Sequence, residues 1–262
     1  MPELPEVELY ARYFAKHALR QPVARVNVLD ERILGDIRPE AFKRRLKRRE
    51  FTDVHRHGKH LFARAGEDLW LHLHFGMTGD LAYYSDASEA PRFARVVFDF
   101  ENGKHLAYED MRLFGVVGLA GSPDAFIDAH HLGPDPLDSK FTLAQFRRIA
   151  AKRRGAIKAV LMSQEIIAGI GNLYADEILY ESGIHPRRSM EDVTAAEAKS
   201  VHTTMRRILR ATIVRKARGA DYPPKSLILH REEGDRCPRC GGEIGRTVVF
   251  GRTTYFCAKH QV

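Results

Sequence analysis

The sequence of 262 residues contains no apolar run approaching the roughly 18 residues that a membrane-spanning helix needs. Its first residues show no basic stretch followed by an apolar core, so no secretory leader is read and a cytoplasmic location is expected. Cysteine is scarce: Cys237, Cys240 and Cys257 are the only three, all near the C-terminal end. An odd, clustered set argues for a metal and against a disulfide framework. Internal repeats and low-complexity tracts are absent.

The rest of the composition is that of a globular protein, with 44% apolar and 29% charged residues. The length allows two modest cores. Lysine and arginine number 42 against 34 acids, a net charge of +8. This balance favours polyanionic partners through phosphate contacts, although charge alone does not identify them.

Hydrophobic periodicity divides the chain. Pro5 to Ala18 reads as a helix, with proline in its first turn, acids at its positive end and Val7, Tyr10 and Phe14 on one face. From Val23 to about Ala120 the period becomes two: Leu69, Leu71 and Leu73 alternate with Trp70, His72 and His74, and glycines punctuate the runs. Gly121 to Asp138 carries three prolines and reads as a linker. Helical signals follow: Thr142 to about Arg153, Leu161 to Ile170, Leu173 to Ser182, and a long helix that Thr194 and Glu197 open as a capping box. Asn172, after a Gly-Ile-Gly turn, reads by itself as an ordinary helix cap. From about Leu227 the chain turns to short strands. The expected class is therefore α+β and multi-domain. A helix and β-sandwich occupy 1–120, a linker 121–138, a helical domain 139–226 and a cysteine-bearing β-hairpin 227–262.

Cys237-Pro-Arg-Cys240 and Cys257-Ala-Lys-His260 form two short knuckles separated by a hairpin-length, glycine-containing stretch. Four such ligands suit one tetrahedral Zn²⁺, and a closed set of four protein ligands implies a structural role. The opening Met1-Pro2-Glu3 carries a second chemical possibility. Removal of Met1 would leave Pro2 with a free secondary amine titrating near 8, partly neutral and nucleophilic at neutral pH. Such an amine can attack a sugar C1′ to form a Schiff base, and the adjacent Glu3 can serve as general acid/base. Taken alone, a proline here reads more simply as the start of a helix.

Several segments, in order along the whole chain, carry a resemblance that reverses that reading. Pro2-Glu3-Leu4-Pro5-Glu6-Val7-Glu8, His74-Phe75-Gly76-Met77-Thr78-Gly79, His131-Leu132-Gly133-Pro134-Asp135-Pro136-Leu137, Gly169-Ile170-Gly171-Asn172-Leu173-Tyr174-Ala175 and the terminal knuckles resemble the formamidopyrimidine-DNA glycosylase/endonuclease VIII family. The resemblance implies a helix–two-turns–helix in the C-terminal domain, one structural zinc and damaged double-stranded DNA as partner. It implies a monomer that excises a damaged base and cuts the strand by β- and δ-elimination.

By the same resemblance Pro2 is the nucleophile, Glu3 the acid/base and Lys59 a catalytic, phosphate-contacting lysine. Glu6 and Glu177 are supporting carboxylates. His74, Asn172 and Arg252 contact phosphates, and Met77, Arg112 and Phe114 fill the gap left by the extruded nucleotide. Cys237, Cys240, Cys257 and His260 hold the metal.

The sequence departs from the family at three places. His260 replaces a cysteine, Met111 replaces a proline, and Arg218 to Arg236 is shorter than the loop that closes over oxidised guanine. The short loop leaves oxidised pyrimidines or bulky adducts open as substrates. A noncatalytic zinc protein that recognises damaged DNA would need neither Pro2 nor Glu3. Lys43-Arg44-Arg45 and Lys47-Arg48-Arg49 match no family role and read as a solvated basic face with weak, nonspecific attraction to DNA.

Overall fold

A computed structural model describes residues 2–216 and 222–262. The chain divides into two compact units, residues 1–131 and 132–262.

The first unit opens with α1 (Leu4–Ala18), which buries Val7, Tyr10, Ala11, Phe14 and Ala18 at the spacing of one helical face. Strands β1 (Val23–Val28), β2 (Asp53–His57), β3 (His60–Gly66), β4 (Leu69–His74), β5 (Gly79–Tyr84), β6 (Ala94–Phe100), β7 (His105–Asp110) and β8 (Val116–Ala120) follow. They form two antiparallel sheets, ordered β1-β6-β7-β5 and β2-β3-β4-β8. One core joins Val26, Phe98 and Leu106 of the first sheet to Leu61, Leu71 and Val117 of the second, so the expected sandwich is present. A short helix that periodicity did not reveal, α2 (Pro39–Leu46), buries only Phe42 and Leu46.

The stretch read as a linker is different in the structure. It contains α3 (Pro123–Ala129), started by Ser122, whose hydroxyl accepts from the Ala125 N–H at 3.1 Å. The division between units falls after His131, beyond this helix. Phe126 of α3 covers the outer face of β3 and β4, its ring centroid 4.2 Å from that of His72 and 5.3 Å from those of His60 and Phe62. That cover is why His72, on the face alternation assigns to solvent, is buried.

In the second unit, α4 (Leu143–Ala150) is capped by Thr142 as expected. The next helix lies earlier than the sequence implied: α5 is Ile157–Met162. Residues after it turn because Gln164 takes over the backbone groups. Its amide donates to Met162 O at 2.7 Å and Ile170 O at 2.8 Å, and its carbonyl accepts from Gly169 N at 2.8 Å. Helix α6 (Asn172–Ser182) ends at left-handed Gly183, and α7 (Ala195–Arg215) opens with the predicted Thr194–Glu197 capping box. Strands β9 (Ile244–Val249) and β10 (Arg252–Cys257) make the terminal hairpin. It shares a core with Tyr180 of α6 and Leu227. No helix among the described residues is long and apolar enough to cross a membrane.

The imidazoles under α3 make the first unit sensitive to acid. Burial first, then neighbouring histidines, pushes His60 down to about 2 and His72 down to about 3. The unfolded chain protonates these groups below about 6.5 and the folded chain does not. Their stabilising contribution is therefore intact above that pH and is lost as pH falls toward the folded values. We expect the urea midpoint of unfolding to fall steadily from pH 7 to pH 4.5. A His72→Phe variant should show a shallower fall, by about one proton.

Candidate nucleic-acid interface

At the head of α1, Glu3 is the N-cap residue and only 2% exposed. Its backbone N–H donates to Glu6 Oε2 at 2.9 Å, so Glu6 closes the helix start rather than facing outward as a free acid. Pro2 precedes it, half-buried; Met1 lies outside the described residues.

Lys59 occupies the two-residue turn between β2 and β3, after Gly58 in the left-handed region (φ +56°). It is 9% exposed. The strand leading into this turn is tied to α1: Arg56 Nε lies 2.9 Å from Glu8 Oε2, and Arg56 Nη1 donates to Gly58 O at 3.2 Å. Helix head and lysine turn are thus fixed to one another through an ion pair that the sequence did not disclose. His74 ends β4, and its Nδ1 accepts from Gly76 N at 3.3 Å. That bond leaves the proton on Nε2, which is the donor available to an anion. Burial, and then the Lys59 ammonium, pushes its pKa down to about 4, so the ring is neutral at physiological pH.

Met77, Arg112 and Phe114 lie in two loops that one buried carboxylate joins. Asp110 is fully buried. Its Oδ1 accepts from the Thr78 hydroxyl and from Arg112 N at 3.1 Å, and its Oδ2 accepts from Gly115 N at 2.7 Å. The Thr78 hydroxyl oxygen in turn accepts from Arg112 N at 3.1 Å. Gly76, at φ +52°, passes so close to the Phe114 backbone that any Cβ would overlap it. The result is an apolar cluster that faces outward: Met77 is 40% exposed and Phe114 54%. The Arg112 guanidinium sits 4.7 Å from the Phe114 ring centroid. Asp110, which ties these two loops together, was not among the residues expected from the sequence, where its only signal is an acid at the end of a strand beside a loop.

In the second unit Asn172 is the first helical residue, and Gly171 is the N-cap. The expectation that Asn172 acts as an ordinary cap is therefore corrected. Its carbonyl accepts from Lys158 Nζ at 2.7 Å and its amide donates to Thr253 O at 3.0 Å, which fastens α6 to the terminal hairpin. Lys158 is fully buried, and donates also to Thr254 Oγ1 at 2.6 Å. Its charge is met by Asp176 Oδ1 at 2.7 Å, while Asp176 Oδ2 pairs with Arg231 at 2.8 Å. Lys158 and Asp176 were not legible as a pair, since helical spacing alone does not join α5 to α6.

Arg252 stands exposed just past a tight turn in which Phe250 and Gly251 are both left-handed (φ +50° and +68°). Glu177 is 1% exposed, accepts from Ile228 N at 2.9 Å, and is pushed up to about 7 by burial. It lines a pocket of about 250 Å³ with Tyr222 and Ser226.

Cys237, Cys240, Cys257 and His260 place their ligand atoms within 4.8 Å of one another, a group that could hold a metal ion. His260 Nε2 donates to Tyr180 O at 3.1 Å, which leaves Nδ1 unprotonated and turned to the thiols, 3.4 Å from Cys240 Sγ. Such an outer hydrogen bond is what a ligating imidazole requires. Three thiols and one imidazole nitrogen at this spacing fit a tetrahedral ion.

The geometry is thus a helix-headed β-sandwich with exposed apolar loop tips at Met77 and Phe114, followed by a helical unit with a Cys₃His hairpin. Residues 1–117 match the formamidopyrimidine-DNA glycosylase N-terminal domain, and residues 132–222 the formamidopyrimidine-DNA glycosylase H2TH domain. Formamidopyrimidine-DNA glycosylase of Desulforamulus reducens is 33% identical over 275 aligned positions, covering 100% of this chain and 99% of its own. That of Symbiobacterium thermophilum is 34% identical, covering 100% of this chain and 89% of its own. Among solved structures, Lactococcus lactis Fpg in complex with DNA containing an abasic site superposes with a TM-score of 0.88 at 27% identity, over 99% of both chains. MutM with DNA containing carbocyclic 8-oxo-G gives 0.90 at 27% identity, again over 99% of both. The chain belongs to the formamidopyrimidine-DNA glycosylase/endonuclease VIII family.

The Asp110 hub can be measured directly. Asp110→Ala leaves the buried Gly115 N–H and the Thr78 hydroxyl without their acceptor, while Arg112 N keeps only the Thr78 oxygen, and should cost about 2–4 kcal/mol. Chemical denaturation measures this loss. A Phe114→Ala variant, whose side chain is mostly in solvent, should stay within about 0.5 kcal/mol of the parent.

Proposed function

We propose that this protein is a bifunctional glycosylase and abasic-site lyase of base-excision repair that acts on damaged bases in duplex DNA. The observation that carries the reading is the helix start. Glu3 is buried, its backbone is held by Glu6, and Pro2 lies directly before it.

With Met1 removed, the Pro2 nitrogen carries the lone pair. After the damaged nucleotide is turned out of the stack, that nitrogen attacks C1′. The C1′–base bond breaks, the sugar ring opens with a proton from Glu3 to the ring oxygen, and an iminium forms at C1′. The positive nitrogen makes the C2′ proton acidic. The Glu3 carboxylate takes that proton as the 3′ phosphate leaves, loss of a further proton expels the 5′ phosphate, and water hydrolyses the iminium to release Pro2. Lys59, with His74 as a neutral donor, binds the adjoining phosphates. Met77, Arg112 and Phe114 occupy the vacated place in the duplex, as apolar wedges do in kinked DNA. Asn172 and Arg252 contribute further phosphate contacts. Base selectivity depends on pocket contacts. Part of the short segment read from Arg218 onward lies outside the described residues.

The Cys₃His group is proposed as a structural zinc site. Zinc, when bound, supplies no chemistry to the reaction and holds the hairpin that carries Arg252. Purified protein should hold one zinc per chain by atomic absorption, and Cys257→Ala should lose it together with most DNA affinity.

Glu3→Gln tests the catalytic reading. The variant should bind a duplex with one 8-oxoguanine, thymine glycol or formamidopyrimidine within about threefold of the parent. It should excise none of them at more than about 1% of the parental rate, consistent with the size of general acid/base effects. Normal excision by the variant would refute the role of Glu3. Excision of no lesion by the parent protein would favour a binding protein without catalysis.

A further inference from the structure

Six cations occupy seven consecutive positions, Lys43-Arg44-Arg45 and Lys47-Arg48-Arg49, around the single apolar residue Leu46. Leu46 and Phe42 are fully buried, which anchors α2 and turns the basic residues outward. Arg44, Arg45, Lys47, Arg48 and Arg49 are exposed. The backbone beneath them is pinned. Arg48 N donates to Val23 O and Val23 N to Arg49 O, both at 2.8 Å, and Lys47 N donates to Lys43 O at 3.0 Å. Arg48 is itself left-handed (φ +61°). Among the described residues, none of these six side chains is in an ion pair. The cations flank two shallow hollows of about 500 Å³ each. One is bordered by Arg44, Arg45 and Arg49 with Glu67 and Asp68 on its rim, the other by Lys43, Arg44 and Lys47 with Glu40.

This platform is remote from the wedge of the same unit. Strand register puts Val23 opposite Phe100 on the outer strand β1, whereas the wedge springs from the Gly79–Asp110 pair at the other end of the sheet, three strands away. Strand rise and spacing make that separation roughly 25 Å. We propose that the platform binds the phosphate backbone of a second duplex segment, while the first segment is engaged at the wedge. This rests on the functional reading above. Arginine, four of the six cations, presents a fork that matches phosphate oxygens. No large apolar side chain among residues 43–49 is exposed to anchor a peptide, and a phosphate backbone needs none. Such a platform would let the enzyme pass between DNA segments without full release.

The test saturates the full-length protein with a short unlabelled duplex carrying an abasic-site analogue. A fluorescent undamaged duplex is then titrated in, with anisotropy as the readout. The second duplex should bind in low salt. The variant R44A/R45A/R48A/R49A should weaken that step at least tenfold and reduce its log–log salt slope by about 3–4. Its affinity for the abasic duplex and its melting temperature should stay unchanged. No second binding, equal second binding by the variant, or tighter binding of a polyglutamate peptide than of the second duplex would each overturn the proposal. Failure of the abasic duplex itself to bind would instead strike the functional reading on which the proposal rests.

Discussion

The nucleophile proposed at Pro2 would be held from one side only, so its position depends wholly on the element attached to it. Here that element is α1. Its buried face locks into the sandwich through Val7, Tyr10, Ala11 and Phe14. Three polar ties leave it at different heights. Glu8 meets Arg56 below the Lys59 turn, the Tyr10 hydroxyl donates to Gly79 O at 3.2 Å beside the wedge, and the Tyr13 hydroxyl accepts from Tyr83 N at 2.9 Å. One helix therefore sets the relation among helix head, lysine turn and wedge. Burial supplies its attachment and the polar ties supply its register.

Each unit also depends on a buried carboxylate used as a structural hub. Asp110 gathers two backbone N–H groups and a hydroxyl, and so fixes loops whose tips are apolar and in solvent. Asp176 gathers Lys158, Arg231 and the Tyr255 N–H, and so fixes the helix-to-hairpin junction. Both place a carboxyl group in the interior, where a lost hydrogen-bond partner is costly. Both hold chemically exposed groups, Phe114 in one case and Arg252 in the other, on rigid supports. Under the proposed function, a wedge or phosphate grip built on unsupported loops would lose conformational entropy on binding that these hubs have already removed.

Much of this was legible in the sequence where a local signal existed. The Thr194–Glu197 capping box, the alternation in β4 and the paired Cys and Cys/His knuckles each announce their structure within a few residues. The features without such a signal depend on contacts between distant segments. Phe126 converts an apparent linker into a helix that covers His72, because a half-apolar seven-residue helix has too few turns for its period to register. Gln164 ends α5 early by side-chain hydrogen bonds that no propensity predicts. Asn172 has the local signature of a cap, and its partners, Lys158 and Thr253, lie in other elements. The resemblance to a family identified Met77, Arg112 and Phe114 as a set, but the residue that makes them a set, Asp110, is found only in three dimensions.

The central claim is that the imino nitrogen of Pro2 bonds to the deoxyribose carbon. The most direct measurement is borohydride reduction of the protein during turnover of a damaged duplex, followed by proteolysis and mass mapping of the nucleotide-bearing peptide. The account predicts a peptide that begins at Pro2, without Met1, carrying the sugar on its terminal nitrogen. A sugar found on Lys59 or any other lysine, or no reducible adduct during active strand cleavage, would contradict it.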